Sequence, residues 1–461
     1  MMEPFTISRD ERYHEAWPNI CIAPNGDLVC SYSEADVHGG GAVPSAVVRI
    51  SEDEGRTWSE PIVVDTLLNR PRDGFMMCRS VIRLQDGSLL LAVDWTRTDF
   101  TRPPGAAHNW SNDPANGACG EVRLYRSFDN GQTWTGPEKT GCLAVSLNIK
   151  QISDGTIFIS AEHYHAEGEW WSQMLYRSRD NGKSWSEPIT VLNDPRWDAN
   201  EGDMVEMPGG ELVMYLRENR SRTMIGMKAI SYDGGATWEG PFAAGKWPIN
   251  GRVAAGLLTS GDVLVMHRVG GFALQHQFGF FVESPETALE KRPYDHRAGL
   301  QPPAGLRWGI IDNDTSAHPD YGYGGWEEFP SGDVYAVNYI VDDAPRNRPQ
   351  IRGYRISRRE LLDPTRDMDI DFEPPAFKRG KLNSQHGWVQ QKPELWLTRG
   401  LAPGALGNLG NYVIVDHSGE HSHTGKASIT GTRSEDGGEE VLRRDVGPYD
   451  LLQEDIQISL T

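Results

Sequence analysis

Six short turns, each built on a glycine, recur along the chain, and side chains able to do chemistry stand within ten residues ahead of them. Ahead of Gly26 are Ala16, Trp17 and Asn19, and ahead of Gly87 are Met77, Cys78 and Arg79. Gly155 is preceded by Asn148 and Lys150, Gly210 by Glu201 and Asp203, Gly261 by Arg252, and Gly332 by Tyr323, Gly325 and Trp326. Arg79 and Arg252 are candidates for contacting an anionic substrate, since a guanidinium pairs well with planar anions. Trp326 joins them as a candidate substrate contact. In AEHYHAEGEWW, His163 and His165 alternate with Tyr164, which puts both imidazoles on one strand face. They either line a shared funnel or pack at its rim, and His267 and His276 carry the same two readings. The loop SYSEADVHGGGAVP supplies Glu34, Asp36 and His38 as candidate acids, and histidine suits proton transfer near neutral pH. Bland readings stand beside these: Glu201 as a structural rim carboxylate, Tyr323 as an ordinary strand tyrosine, and Arg217 simply as a partner of Glu201.

The elements that must position these residues are legible from two repeats. The first is a tight turn followed by an apolar strand: PNGDLV at 24–29, QDGSLL at 85–90, SDGTIF at 153–158, PGGELV at 208–213, TSGDVL at 259–264 and PSGDVY at 330–335. The turn glycines are 61, 68, 55, 51 and 71 residues apart. That period, with several short strands per repeat, predicts propeller blades, and six repeats predict six. All six glycines are expected on one rim, each leading into an inner strand. Residues just ahead of the inner strands then converge on one mouth of a central channel. The second repeat is Ser-x-Asp-x-Gly-x-Thr/Ser-Trp, at 51–58, 127–134, 178–185 and 231–238. Its aspartate can accept hydrogen bonds from the turn's own N–H and hydroxyl groups, its glycine permits positive φ, and its tryptophan offers an apolar plate. FFVESPETALE and GYRISRREL stand at the corresponding places of blades five and six, and ISRRELLD at 356–363 is a short helical exception.

The predicted fold class is all-β: a six-bladed β-propeller over residues 1–368, then a small C-terminal β-sandwich-like module over 369–461. The Pro-Pro break in FEPPAFKRG and the alternating stretches after it suggest the boundary. His417, His421 and His423 cluster in this module as a solvated loop, without a further ligand at metal spacing. Net charge is −20, from 65 acidic and 45 basic residues, which argues against nucleic acid as a partner. The five cysteines show neither metal-ligand nor paired spacing, and no cofactor or metal is expected. No run reaches membrane-spanning length, so no membrane partner is expected. The N-terminus lacks the apolar core of a signal peptide, giving a cytoplasmic expectation, or a secreted one if an export segment has been removed.

The second repeat is similar to the Asp-box (BNR repeat) of the sialidase, or neuraminidase, superfamily. The resemblance extends to the active-site frame. Family members carry a glutamate nine residues before the blade-four turn glycine and an arginine seven after it; here these are Glu201 and Arg217. Family members also carry a tyrosine nine residues before the blade-six glycine; here it is Tyr323. The resemblance implies that Tyr323 is a nucleophile whose proton Glu201 withdraws, since a neutral phenol can approach an anomeric carbon that bears a carboxylate. It implies further that arginines hold the substrate carboxylate and that an acid on a blade-one loop, with Asp36 and His38 as candidates, protonates the leaving oxygen. The chain departs from the pattern at two arginines. Ala16 stands at the first place, and Gln275 and His276 stand near the third, with Arg268 offset.

The implied function is an exo-acting glycoside hydrolase acting on a terminal, acidic sugar of an oligosaccharide or glycoconjugate. Two other readings remain. One is a polysaccharide lyase, with Tyr323 or a histidine abstracting a proton beside a uronate carboxylate and Arg217 stabilising the enolate. The other is a non-catalytic glycan-binding propeller.

Overall fold

The computed structural model describes residues 3–36, 38, 45–67, 75–96, 120–143, 145–165, 170–219, 225–245, 249–269, 276–295, 303–316, 318–342 and 348–362, and four short strands beyond. Six four-stranded antiparallel sheets are arranged around one axis. Blade one holds β2 (His14–Ile22), β3 (Leu28–Ala35), β4 (Ser45–Ser51) and β5 (Ile62–Thr66), from the axis outward. Blade two holds β6 (Phe75–Arg83), β7 (Leu89–Thr96), β8 (Gly120–Ser127) and β9 (Thr135–Leu143). Blade three holds β10 (Val145–Gln151), β11 (Ile157–His165), β12 (Trp170–Ser178) and β13 (Ile189–Leu192). Blade four holds β14 (Ala199–Glu206), β15 (Leu212–Glu218), β16 (Gly226–Ser231) and β17 (Glu239–Ala244). Blade five holds β18 (Ala254–Leu257), β19 (Val263–Val269), β20 (Gln277–Glu283) and β21 (Arg307–Asn313). Blade six holds β22 (Tyr321–Glu328), β23 (Val334–Ile340) and β24 (Gln350–Ile356), and its outer strand is β1 (Pro4–Ser8). Phe5 of β1 pairs with Gly353 of β24, so the start of the chain latches the ring closed.

Strand alternation explains the core. Side chains of one strand point to opposite faces, and each face meets a neighbouring blade. In β19, Val263 and Val265 pack toward blade four, while Leu264 and Met266 pack toward blade six. In β23, Tyr335, Val337 and Tyr339 pack on blade one, while Val334, Ala336 and Ile340 pack on blade five. Both faces are buried, which is why these strands read as continuous apolar runs.

The six turn glycines have φ between +85° and +95° and share one rim. They follow the inner strands and lead into the second strands, which corrects the expected order. A six-residue turn motif marks a hairpin but not which of its two strands lies nearer the axis. The residues ahead of each glycine therefore lie within the inner strand, toward the opposite mouth.

The Asp-boxes join the third and fourth strands of blades one to four on the glycine rim. In the first, Asp53 accepts from the Thr57 N–H at 2.8 Å and from the Thr57 hydroxyl at 2.6 Å. The Trp58 indole donates to the Gly55 carbonyl at 3.2 Å. Gly55 packs so closely on Tyr335 of blade six that a methyl group there would collide with the ring. The Tyr335 hydroxyl donates to the Gly55 carbonyl at 2.8 Å, so the box also ties one blade to the next. In blades five and six short helices, α1 (Pro285–Ala288) and α2 (Arg358–Leu362), take the place of the box. Ser357 and Glu360 form a reciprocal capping box at the start of α2.

Beyond residue 362 the described residues are backbone strands only. Trp388–Gln390 pairs with Leu442–Arg444, and Val413–Asp416 pairs with Ser428–Gly431. The rest of the expected C-terminal module, including His417, His421 and His423, lies outside the described residues.

Candidate active site

The inner strands of blades one, four and six each break register near the mouth. Ala16 pairs with Ser33 and Asn19 with Ser31, so Trp17 and Pro18 bulge against one residue of β3. Glu201 and Gly202 bulge in the same way from β14, and Tyr323 and Gly324 from β22. Trp17, Glu201 and Tyr323 have left-handed φ values of 58°, 48° and 54°. Such a conformation is uncommon for residues with a side chain and costs about 1–3 kcal/mol. It turns three side chains out of the strand alternation at one height.

Glu201 and Tyr323 meet there. The Tyr323 hydroxyl donates to Glu201 Oε1 at 2.7 Å, and Arg217 Nη1 donates to Glu201 Oε2 at 2.7 Å and to the Tyr323 oxygen at 2.8 Å. Burial would raise the Glu201 pKa, but the Arg217 charge and the hydrogen bonds from Tyr323 and Arg217 outweigh it and hold the carboxyl below its ordinary value. Burial pushes the Tyr323 phenol up to about 12, with Arg217 opposing and Glu201 reinforcing. The resting site therefore holds a carboxylate, a neutral phenol hydrogen-bonded to it, and a fixed cation.

A second ring of positions frames the triangle. Seven residues after the turn glycines stand Ser33, Asp94, Glu162, Arg217, Arg268 and Tyr339, one per blade at the ends of the second strands. Arg268 is thus the blade-five equivalent of Arg217, which corrects its apparent offset. Its guanidinium lies 5.0 Å from the Tyr323 ring centroid and donates to the Tyr339 hydroxyl at 3.2 Å. Arg217 and Arg268 each keep a buried Nε–H without an acceptor among the described residues. Glu162 is buried beside Glu201; burial first, then the Glu201 charge, raises its pKa to about 8. Glu162 and Tyr339 escaped the sequence reading because the offset of seven after the turn glycine was applied to blade four alone; applied to blades three and six it finds both.

His38 lies exposed at the blade-one side of the mouth, its ring centroid 5.4 Å from that of Trp17. Its Nδ1 is 2.7 Å from Asp320 Oδ2, which also lies 2.9 Å from His14 Nε2. The Tyr339 hydroxyl donates to Asp320 Oδ1 at 2.8 Å. Asp320 and His14 carry no repeat signal in the sequence. His14, His38 and Asp320 offer three metal-ligand-type atoms within 4.8 Å of one another, and the hydrogen bonds to Asp320 account for that closeness. Asp36, half-buried on the same loop, receives the Arg348 guanidinium at its backbone carbonyl.

Several candidates lie outside the triangle. Arg252 is fully buried and donates to the backbone carbonyls of Arg79, Pro18 and Tyr323 at 2.7, 2.7 and 2.8 Å. It is a crossbar under the site rather than a substrate contact, and it holds two of the bulges. Arg79 is buried and paired with Asp94 at 2.6 Å, so its charge is matched by protein. Trp326 donates its indole N–H to Ala254 at 3.0 Å and lines a separate cavity of about 250 Å³ further along the channel, with Lys150, Asp203 and Glu327. His163 and His165 lie on the blade-three rim with ring centroids 4.6 Å apart and planes tilted by 51°, and His165 stacks on Trp170. His276 packs edge-on to Tyr321, one ring removed from the triangle. His267 is a core histidine whose burial lowers its pKa to about 4. Gln275 lies outside the described residues.

The described residues form a six-bladed propeller with four Asp-boxes and a Tyr–Glu–Arg cluster at one mouth. Residues 112–270 match the family described as BNR repeat-like domain. The chain is 27% identical over 272 residues to a sialidase of Clostridium perfringens, an alignment covering 52% of this chain and 63% of that one. Among solved structures, a protein of unknown function from Dyadobacter fermentans superposes with a TM-score of 0.59 at 21% identity, over 77% of this chain and 98% of that one. A Hadza microbial sialidase superposes with a TM-score of 0.57 at 14% identity, over 78% and 69% of the two chains. The chain is thus a six-bladed β-propeller, similar in part of its length to BNR-repeat proteins and to sialidases.

Proposed function

We propose that the chain is an exo-acting glycoside hydrolase that releases a terminal acidic sugar from a glycan, with Tyr323 as nucleophile and Glu201 as its base. The observation that carries this is the hydrogen-bonded triangle of Tyr323, Glu201 and Arg217. A phenol held near 12 is a poor nucleophile until it is deprotonated, and Glu201, kept ionised, is in place to take the proton as the bond to the anomeric carbon forms. Arg217 contacts both oxygens and so balances the charge as it moves from carboxylate to phenolate. Arg217 and Arg268 together offer the sugar carboxylate two cations at adjacent blades, and Ala16 in place of the family's first arginine points to an acidic sugar other than ordinary sialic acid.

Turnover of 4-methylumbelliferyl glycosides of N-acetylneuraminic acid, a deaminated nonulosonic acid and glucuronic acid, with products followed by NMR, tests the proposal. A saturated free sugar whose release needs Tyr323 is expected. An unsaturated product would instead establish a lyase, and binding without turnover a glycan-binding propeller.

A further inference from the structure

We propose that Asp320 is the positioning residue that makes His38 the proton donor to the leaving group, an acid assembled from blades one and six. The inference rests on the glycosidase reading above. His38 presents Nδ1 to Asp320 Oδ2 at 2.7 Å, which leaves Nε2 as the remaining nitrogen of an exposed ring at the mouth. Asp320 is fixed from three sides: by His38, by His14 Nε2 at 2.9 Å, and by the Tyr339 hydroxyl at 2.8 Å. Tyr339 accepts in turn from Arg268, whose guanidinium lies over the Tyr323 ring, so the proton donor and the nucleophile share one connected frame. Trp17, turned out of its strand by the blade-one bulge, sets an apolar wall beside the His38 ring at 5.4 Å.

The carboxyl that faces the His38 ring is ionised. Burial would raise the Asp320 pKa, but the hydrogen bonds from His14 and His38 and the His38 charge outweigh it and hold the carboxyl far below its ordinary range. Asp320 is therefore an anion against the ring. His14 is the titratable neighbour from the inner strand of blade one, Tyr339 the one from blade six, and Arg268 the cation behind Tyr339.

The step balances. The Nε2–H proton of the His38 imidazolium passes to the glycosidic oxygen as the bond from that oxygen to the anomeric carbon breaks and its electron pair stays on oxygen. The Tyr323 oxygen forms the new bond to carbon, and its proton goes to Glu201. In the second half, neutral His38 takes a proton from water, the water oxygen attacks the anomeric carbon, and the Tyr323–carbon bond breaks. Glu201 then returns the proton to Tyr323.

Leaving-group dependence tests this, because 4-nitrophenolate leaves without protonation and methoxide does not. Wild type, His38→Ala, Asp320→Asn and Tyr323→Phe are compared on paired methyl and 4-nitrophenyl glycosides of N-acetylneuraminic, deaminated nonulosonic and glucuronic acids. His38→Ala and Asp320→Asn should each lose about 100-fold or more in kcat/KM on the methyl glycosides and less than about 10-fold on the 4-nitrophenyl ones. Asp320→Asn should also show its loss on the methyl glycosides in kcat with KM changed little, since Asp320 acts on proton donation and not on binding. His38 is exposed, so its removal leaves the core intact and keeps the test valid if Asp320→Asn folds poorly. Equal losses on both leaving groups would overturn the inference while leaving the hydrolase reading standing. So would activity abolished by EDTA and restored by zinc, which would make the trio a metal centre. Absence of wild-type turnover on every pair overturns both readings.

Discussion

Glu201 and Tyr323 leave their strands by the same device and meet at 2.7 Å. Each stands nine residues before its turn glycine, each has a left-handed φ, and each begins a two-residue bulge. Blades four and six are not adjacent, so the contact crosses in front of blade five. The strain at two non-glycine residues is retained because the bulge, and not the strand alternation, aims the side chains at one point. Arg252 of blade five sits beneath and holds the Tyr323 carbonyl at 2.8 Å.

Tyr323→Phe deletes one oxygen and keeps the ring under Arg268. Steady-state kinetics on the substrate found should show kcat down by about 10²–10⁴-fold with KM changed little. Full turnover in this variant would remove Tyr323 from the chemistry.

Arg217→Lys replaces a planar fork with a point charge. Calorimetry with an acidic monosaccharide should show binding weaker by about 1.5–3 kcal/mol, because a charged hydrogen bond is lost. A neutral sugar of the same ring size should bind the variant and the wild type alike.

Arg252→Met should unfold the site from below. Three backbone carbonyls lose a charged donor in a place without solvent, so urea denaturation should show a stability loss of at least about 3 kcal/mol. If instead the variant kept wild-type stability and only KM rose, Arg252 would be a substrate contact after all.

The Asp-boxes predict an acid limit. Hydrogen bonds from the neighbouring Thr or Ser hydroxyl and backbone lower Asp53, Asp180 and Asp233 to about 2. A carboxylate depressed in the folded state contributes stability that is present above the unfolded value, about 3.9, and is lost as pH falls through about 2. The melting temperature should therefore drop between these two values. Asp129 is exposed, yet accepts from Ser127 and twice from Thr133. Asp129→Ala should cost about 1 kcal/mol by thermal denaturation, with turnover nearly unchanged.

What repeats within a blade was legible in the sequence. The turn glycines fixed six hairpins, the boxes fixed four more, and alternation filled both faces of each sheet, because each signal acts over a few residues through φ preference, local hydrogen bonds or the two-residue strand period. Glu201, Arg217 and Tyr323 were found by their offsets from those glycines. What links different blades was decided only by the tertiary structure. Arg252 and Arg79 looked like free cations, yet one is held by three carbonyls and the other by Asp94. The latch of β1 on blade six, the place of Arg268 over Tyr323, and the approach of His38 to Asp320 join residues far apart in the chain. No local preference encodes such contacts; they exist because six twisted sheets close around one axis and bring the ends of their inner and second strands to the same mouth.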